Sequence, residues 1–310
     1  MIIHPDYAGI DISKLYLDVF DGRLGKPERI DNNPVAARKL ARRFKNHETS
    51  VLFEATGRYD RILREALTEE NLAFARVNPA RARDFSRAIG QIAKTDQIDA
   101  QMLAARAQTL SPESFKPPSP ARQKLADLQL RRDQLVLMRA QEATRLEALN
   151  NRNVVKTINR HISFLTKDIV AIEAEIVELL GGDDELREEA ERLRSIPGIG
   201  PVTCCVLLAL MPELGQCSPK EIAALAGLAP FNIDSGSMRG KRKIKGGRAR
   251  VRNALYMSAV TLSRSKNPFG NFYRHLIAKQ KPAKVALIAT ARKILLTANA
   301  IVKSKTLYAG

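Results

Sequence analysis

The sequence predicts a mixed α/β domain followed by an all-α region, with a long helical hairpin between them. Three observations carry this expectation. Residues 7–77 alternate short apolar strand patterns with helical ones. Residues 121–182 keep a helical period without strand signals, and every periodic segment from Asp183 onward is helical. A chain of 310 residues suffices for two domains and a connector, and 45% apolar content with modest Gly and Pro marks a globular protein.

The elements follow in order. Gly9, Ile10, Ile12, Leu15, Leu17 and Val19 suit a strand pair bent near Ser13-Lys14, with a third strand around Glu28–Asp31. Pro34 opens a helix, VAARKLARRFKN, and SVLFE reads as a buried strand ending at Glu54. Thr56-Gly57 breaks that strand before helical RYDRILREALTEEN. LAFARVN is another strand, ARARDFSRAIGQ another helix, and Asp96 and Asp99 lie three apart on one face of a further helix. This order describes a mixed sheet covered by helices and suits a ribonuclease-H-like layer fold.

Four prolines punctuate SPESFKPPSP, so residues 112–120 read as a stiff linker closing a first domain, 1–111. Beyond it lie two long helical segments. In the second, Ile158, Ile162, Leu165, Ile169, Ile172, Ile176 and Leu179 recur at threes and fours. That spacing predicts a coiled-coil hairpin or dimerising arm over 121–182, stopped by Gly181-Gly182. In 183–310, IPGIGPVT has a glycine turn between helices, like a helix-hairpin-helix that offers backbone N–H groups to phosphate. A plain helix cap satisfies the same residues.

Charge narrows the function classes. Residues 231–310 hold 18 Lys and Arg and one acid, Asp234, so the final quarter carries +17 of the chain's +18. A field so concentrated predicts a polyanion partner, DNA or RNA, with salt-sensitive affinity. No stretch is expected to span a membrane, and the start lacks a basic segment followed by an apolar core. Cys204, Cys205 and Cys217 lack C-x-x-C spacing and the four histidines are scattered, which argues against zinc and for buried thiols of a reduced, cytoplasmic compartment.

Asp11, Glu54, Asp96 and Asp99 are the candidate site. Carboxylates drawn from two strands and one helical turn are what a Mg²⁺ site for phosphoryl transfer needs, Mn²⁺ being a substitute. Asp6, Asp18 and Asp84 are weaker candidates because they fit no shared face. Eight of the fourteen residues from Arg239 to Arg252 are basic and glycines interleave them. Arg239, Lys241, Arg242, Lys245, Arg248 and Arg252 are therefore expected to hold nucleic-acid backbone. Ser235, in Asp-Ser-Gly, reads either as ordinary turn chemistry or as a nucleophile on a flexible loop. Tyr256 and Tyr273 fall inside helical apolar patterns and read as packing.

GIDISK, FEATG and AKTDQIDAQMLA together resemble the first domain of the DEDD transposases of insertion sequences. That family includes Piv-type DNA invertases and bridge-RNA-guided recombinases. IPGIGPVT, LAGLAP and SGSMRGKRKIKGGR resemble its second conserved domain, so the likeness spans nearly the whole chain. The resemblance implies a RuvC-like nuclease domain carrying Asp11, Glu54, Asp96 and Asp99, a coiled coil, and a basic helical domain supplying Ser235. It further implies a dimer or tetramer with a composite active site, and a structured noncoding RNA that pairs with donor and target DNA.

The expected activity is thus site-specific DNA recombination: Ser235 attacks phosphorus beside metal-bound carboxylates and forms a transient phosphoserine–DNA bond. Two alternatives stay open, a Holliday-junction-type nuclease using activated water and a catalytically decayed nucleic-acid binder.

Overall fold

The computed structural model describes residues 3–309 except 58, 92–94, 116, 232, 233, 236, 237 and 240–242; for 234, 235, 238 and 239 it describes backbone alone. The chain divides into two compact units, Met1–Pro117 and Pro118–Gly310.

In the first unit, strands β1 (Tyr7–Ile12), β2 (Tyr16–Asp21) and β3 (Lys26–Asp31) form an antiparallel meander. β4 (Ser50–Glu54) and β5 (Phe74–Val77) add in parallel on the other side of β1, giving the order β3-β2-β1-β4-β5. Helices α1 (Pro34–Lys45), α2 (Arg61–Glu69), α3 (Pro79–Ala88) and α4 (Asp96–Leu110) cover the sheet. Ala8, Ile10, Ile12, Leu17 and Val19 turn to one face and pack with Ala37, Leu40 and Phe44 of α1 and Leu63 and Leu67 of α2. Period-2 alternation then puts Gly9 and Asp11 on the opposite face.

That opposite face belongs to α4. A side chain at Gly9 would stand 2.1 Å from the Ala100 carbonyl oxygen and 2.3 Å from the Ala104 amide nitrogen. Glycine there, and alanines at 100 and 104, let the helix lie directly on β1. Asn33 and Thr95 cap α1 and α4, each side-chain oxygen accepting from a first-turn amide, at 2.9 and 3.2 Å. Asp60 is fully buried on Arg64 and Arg76, at 2.9 and 2.6 Å.

The proline-rich stretch is mostly not a linker. The Phe115 amide donates to the Phe74 carbonyl at 2.6 Å, and the two rings lie 5.5 Å apart, so the chain stays with the first unit until Pro117. An aromatic side chain inside the proline run is the reason: it has apolar surface to bury.

In the second unit α5 (Pro120–Leu146) and α6 (Arg152–Gly182) pack as an antiparallel pair. The stripe expected to be apolar is spent here: Leu165 and Ile169 bury against Leu135, with Ile172 beside them, and Arg132 pairs with Glu173 at 2.6 Å. Next come α7 (Asp184–Arg194), α8 (Pro201–Leu210) and α9 (Pro219–Leu225). After them the expectation of helix alone fails. Strand β6 (Pro230–Phe231) pairs with β9 (Lys243–Ile244), and β7 (Asp234–Ser235) with β8 (Met238–Arg239), as two separate antiparallel pairs. Two-residue strands leave no period to read. α10 (Ala249–Ser263), α11 (Pro268–Ala278) and α12 (Ala283–Ser304) complete the unit.

α12 corrects the membrane expectation, since its 22 residues are long and apolar enough to cross a bilayer. Its Ala291, Ile294, Leu295 and Ala298 are instead fully buried in the unit's core. Asn299, also buried, accepts from the Gly215 amide at 2.8 Å and donates to the Cys217 carbonyl at 3.0 Å. Cys204 and Cys205 are core residues, and burial pushes the Cys204 thiol up to about 12.

Candidate active site and nucleic-acid surface

The structure brings Asp11, Glu54, Asp96 and Asp99 to one cavity of about 130 Å³, lined also by Arg83, Ser86, Met102 and Arg106. Parallel pairing of β1 with β4 sets Ile10 beside Phe53, so Asp11 and Glu54 follow at adjacent strand ends on the α4 side. α4 supplies Asp96 and Asp99 from its first turn, where the helix dipole favours anions. Burial, then the charges of Asp99 and Asp96, push the Asp11 carboxyl up to about 6.

Asp18 is a correction to the sequence reading, which gave it no shared face. It lies directly opposite Asp11 in the β1–β2 ladder, so both point to the same face. Asp18 is 1% exposed and takes a bidentate pair from Arg29, both contacts at 2.9 Å. The same guanidinium donates to Asp96 at 2.8 Å. Arg29 therefore ties β3 to the first turn of α4. The signal was present: a bend near Ser13-Lys14 already pairs position 11 with 18. Arg83 and Arg106 were missed because the first 230 residues average to near neutrality.

All four cavity carboxylates offer oxygen, the donor hard divalent cations take, and the mutual repulsion felt at Asp11 is what such a cation relieves. Among the described residues no group of three or more Asp, Glu, His or Cys side chains is gathered closely enough to hold a metal ion as it stands. The residues fit the group in donor chemistry and in shared cavity.

In the second unit the basic residues divide. Arg248 is a correction: its guanidinium grips Glu213 through two contacts of 2.6 Å and also donates to the Leu210 carbonyl at 2.9 Å. It braces the unit and is not free for a phosphate. Arg252 donates to the Gly246 carbonyl at 2.7 Å, while Lys245 is exposed. Gly247, at φ +68°, gives its room to the backbone of Gly227, 2.1 Å from where a side chain would begin, and not to a ligand. Ser235 is placed by backbone alone, paired with Met238, and Arg239 pairs with Asp234. The side chains of Ser235 and Arg239, and residues Lys241 and Arg242, lie outside the described residues. In the PGIG turn Gly198 takes φ +84° and abuts Leu262 of α10, which explains the glycine by packing.

A mixed sheet with an acid on its central strand and two more on the covering helix is consistent with a DEDD nuclease-like domain. Comparison with known proteins gives the same class. Residues 8–151 match a DEDD transposase family model of the IS110 type, and residues 190–274 match the transposase IS116/IS110/IS902 family. The chain is 30% identical over 308 residues to the pilin gene-inverting protein of Moraxella lacunata, covering 96% of this chain and 95% of that protein. The Moraxella bovis counterpart is 29% identical over the same length, with the same coverage. An uncharacterized 43.6 kDa protein of insertion element IS110 from Streptomyces coelicolor is 28% identical over 158 residues, half of this chain and 38% of that one. This chain belongs to the IS110/IS116/IS902 family of transposases. Membership implies DNA binding, cleavage and rejoining.

Proposed function

We propose that the chain is a site-specific recombinase that cuts and rejoins DNA at the ends of an insertion sequence through Ser235. The supporting observation is the convergence of Asp11, Glu54, Asp96 and Asp99 on one cavity, where burial and the neighbouring carboxylates raise the Asp11 pKa to about 6. These four would hold Mg²⁺, which when bound supplies Lewis-acidic charge at a phosphodiester. The Ser235 Oγ attacks phosphorus; an Oγ–P bond forms as a P–O bond of the strand breaks, and the proton that Oγ gives up ends on the departing strand's hydroxyl. Phosphodiester energy is conserved, so the hydroxyl of an incoming strand can reverse the step. Arg239, Lys241, Arg242, Lys245 and Arg252 hold backbone and read no bases.

The same reading includes a structured guide RNA, supported by the +17 of the final quarter and by the resemblance. It includes self-association through the α5–α6 arm, supported by the exposed Leu130, Leu137, Val170 and Val177 on that pair.

The test is a nicked suicide substrate carrying the element's own end, with Mg²⁺ and the RNA that copurifies. A denaturant-resistant protein–DNA adduct is expected, absent in Ser235→Ala and in Asp11→Asn. Cleavage without adduct that survives Ser235→Ala identifies a water-using nuclease. DNA binding with no cleavage in any divalent metal identifies a decayed binder.

A further inference from the structure

The cavity that holds the carboxylates has a second, cationic wall. Arg83 comes from α3 and Arg106 from α4, seven residues beyond Asp99. Seven residues bring Arg106 back to nearly the same helix face, about 10 Å along the axis. The Arg106 guanidinium stacks over Phe85 at 5.5 Å and reaches the Arg81 carbonyl at 3.4 Å, without a carboxylate. Burial and the neighbouring Arg81 hold its pKa below the ordinary range.

The contrast with the rest of the unit sharpens this. Among the described residues, eight arginines of the first unit pair with carboxylates. The four that do not are Arg81, Arg83 and Arg87 on α3 and Arg106 beside them. Two of these four, Arg83 and Arg106, line the acidic cavity, where their guanidinium donors can meet an outside anion. Arginine forks match phosphate oxygens, and the anion that must approach these carboxylates in a transposase is a DNA strand.

We propose that Arg83 and Arg106 are strand-binding residues that hold the DNA backbone beside the phosphate at the carboxylates. The proposal rests on the reading that this cavity acts on DNA.

The experiment uses the full chain and fluorescein-labelled single-stranded DNA, with Ca²⁺ in place of Mg²⁺ to leave the strand intact. Affinity is followed by anisotropy across a salt series. Arg83→Gln/Arg106→Gln is expected to weaken binding roughly tenfold and to flatten the log–log salt slope by about 1.4, two phosphate contacts at about 0.7 each. Arg106→Lys restores the slope, and an unchanged unfolding temperature shows that the variants fold. An unchanged slope overturns the proposal. So does an equal change in Lys14→Gln/Lys39→Gln, two exposed lysines that do not line the cavity and whose loss matches the charge. Loss of affinity for RNA of the same sequence alone, with DNA affinity kept, also overturns it. Absence of the Ser235 adduct bears on the recombination chemistry and leaves this binding result standing.

Discussion

Replacing Gly9 by alanine tests how the site is held together. The new Cβ would stand 2.1 Å from the Ala100 oxygen, 2.3 Å from the Ala104 nitrogen and 2.8 Å from the Leu103 Cβ. Two of these atoms are helix backbone, so no rotamer change relieves the clash. Reaching the 3.4 Å of ordinary contact moves α4 outward by about 1.3 Å. Overpacking of this kind costs about 1–3 kcal/mol, which for a unit of this size lowers the unfolding temperature by roughly 4–12 °C. Asp96 and Asp99 move with the helix, and a displacement near 1 Å costs on the order of 100-fold in rate. Thermal unfolding in EDTA and adduct yield on the suicide substrate read the two effects separately. Gly181→Ala is the control: its new side chain meets nothing within 4 Å inside α6, and it should stabilise by about 0.5–1 kcal/mol. A Gly9→Ala protein that melts within a degree of wild type and forms full adduct would refute the packing argument.

Two more changes probe the charges. Asp11 holds its proton more tightly folded, at about 6, than unfolded, at 3.8. The protonated carboxyl therefore supports the metal-free fold fully below 3.8, and that support is lost as pH rises through about 6. Asp11→Asn should then exceed wild type in stability above pH 6, by about 1–2 kcal/mol after discounting for the half-exposed carboxyl. The gap should close toward pH 4 in EDTA melts, and a gap independent of pH would contradict the assignment. Arg29→Gln leaves Asp18, 1% exposed, without its cation, and should lower the urea unfolding midpoint. Adding Asp18→Asn should recover most of the drop, and failure to recover would place Arg29's role elsewhere.

The parts legible in the sequence are those that obey a period. Alternation around Asp11 placed its neighbours Ile10 and Ile12 in the core, and that alone fixed which face Asp11 shares with α4. The apolar run before Glu54 likewise marked a strand end. Asp96 and Asp99 could be set on one helical face by spacing. What escaped has no period. Asp18 needed the hairpin register, Arg83 and Arg106 needed the third dimension, and Arg248 looks identical in sequence whether it braces Glu213 or grips a phosphate. Gly247 shows the same ambiguity, because close approach to another backbone and close approach to a ligand select the same residue.

The acidic site is costly in the metal-free protein, and the surrounding residues show how the fold tolerates it. Asp11 and Asp18 face one another across two strands, with Asp96 and Asp99 brought close by the missing side chain at Gly9. One guanidinium, Arg29, pairs with both Asp18 and Asp96, while burial and its acidic neighbours keep the Asp11 carboxyl raised. The carboxylates gather at the ends of β1 and β4 and in the first turn of α4, while Arg83 and Arg106 bring cations to the same cavity from α3 and further along α4. That asymmetry is the physical content of the site. A positive ion is favoured between the carboxylates and a polyanion along the arginines, so a phosphodiester is drawn to the boundary where both can be satisfied at once.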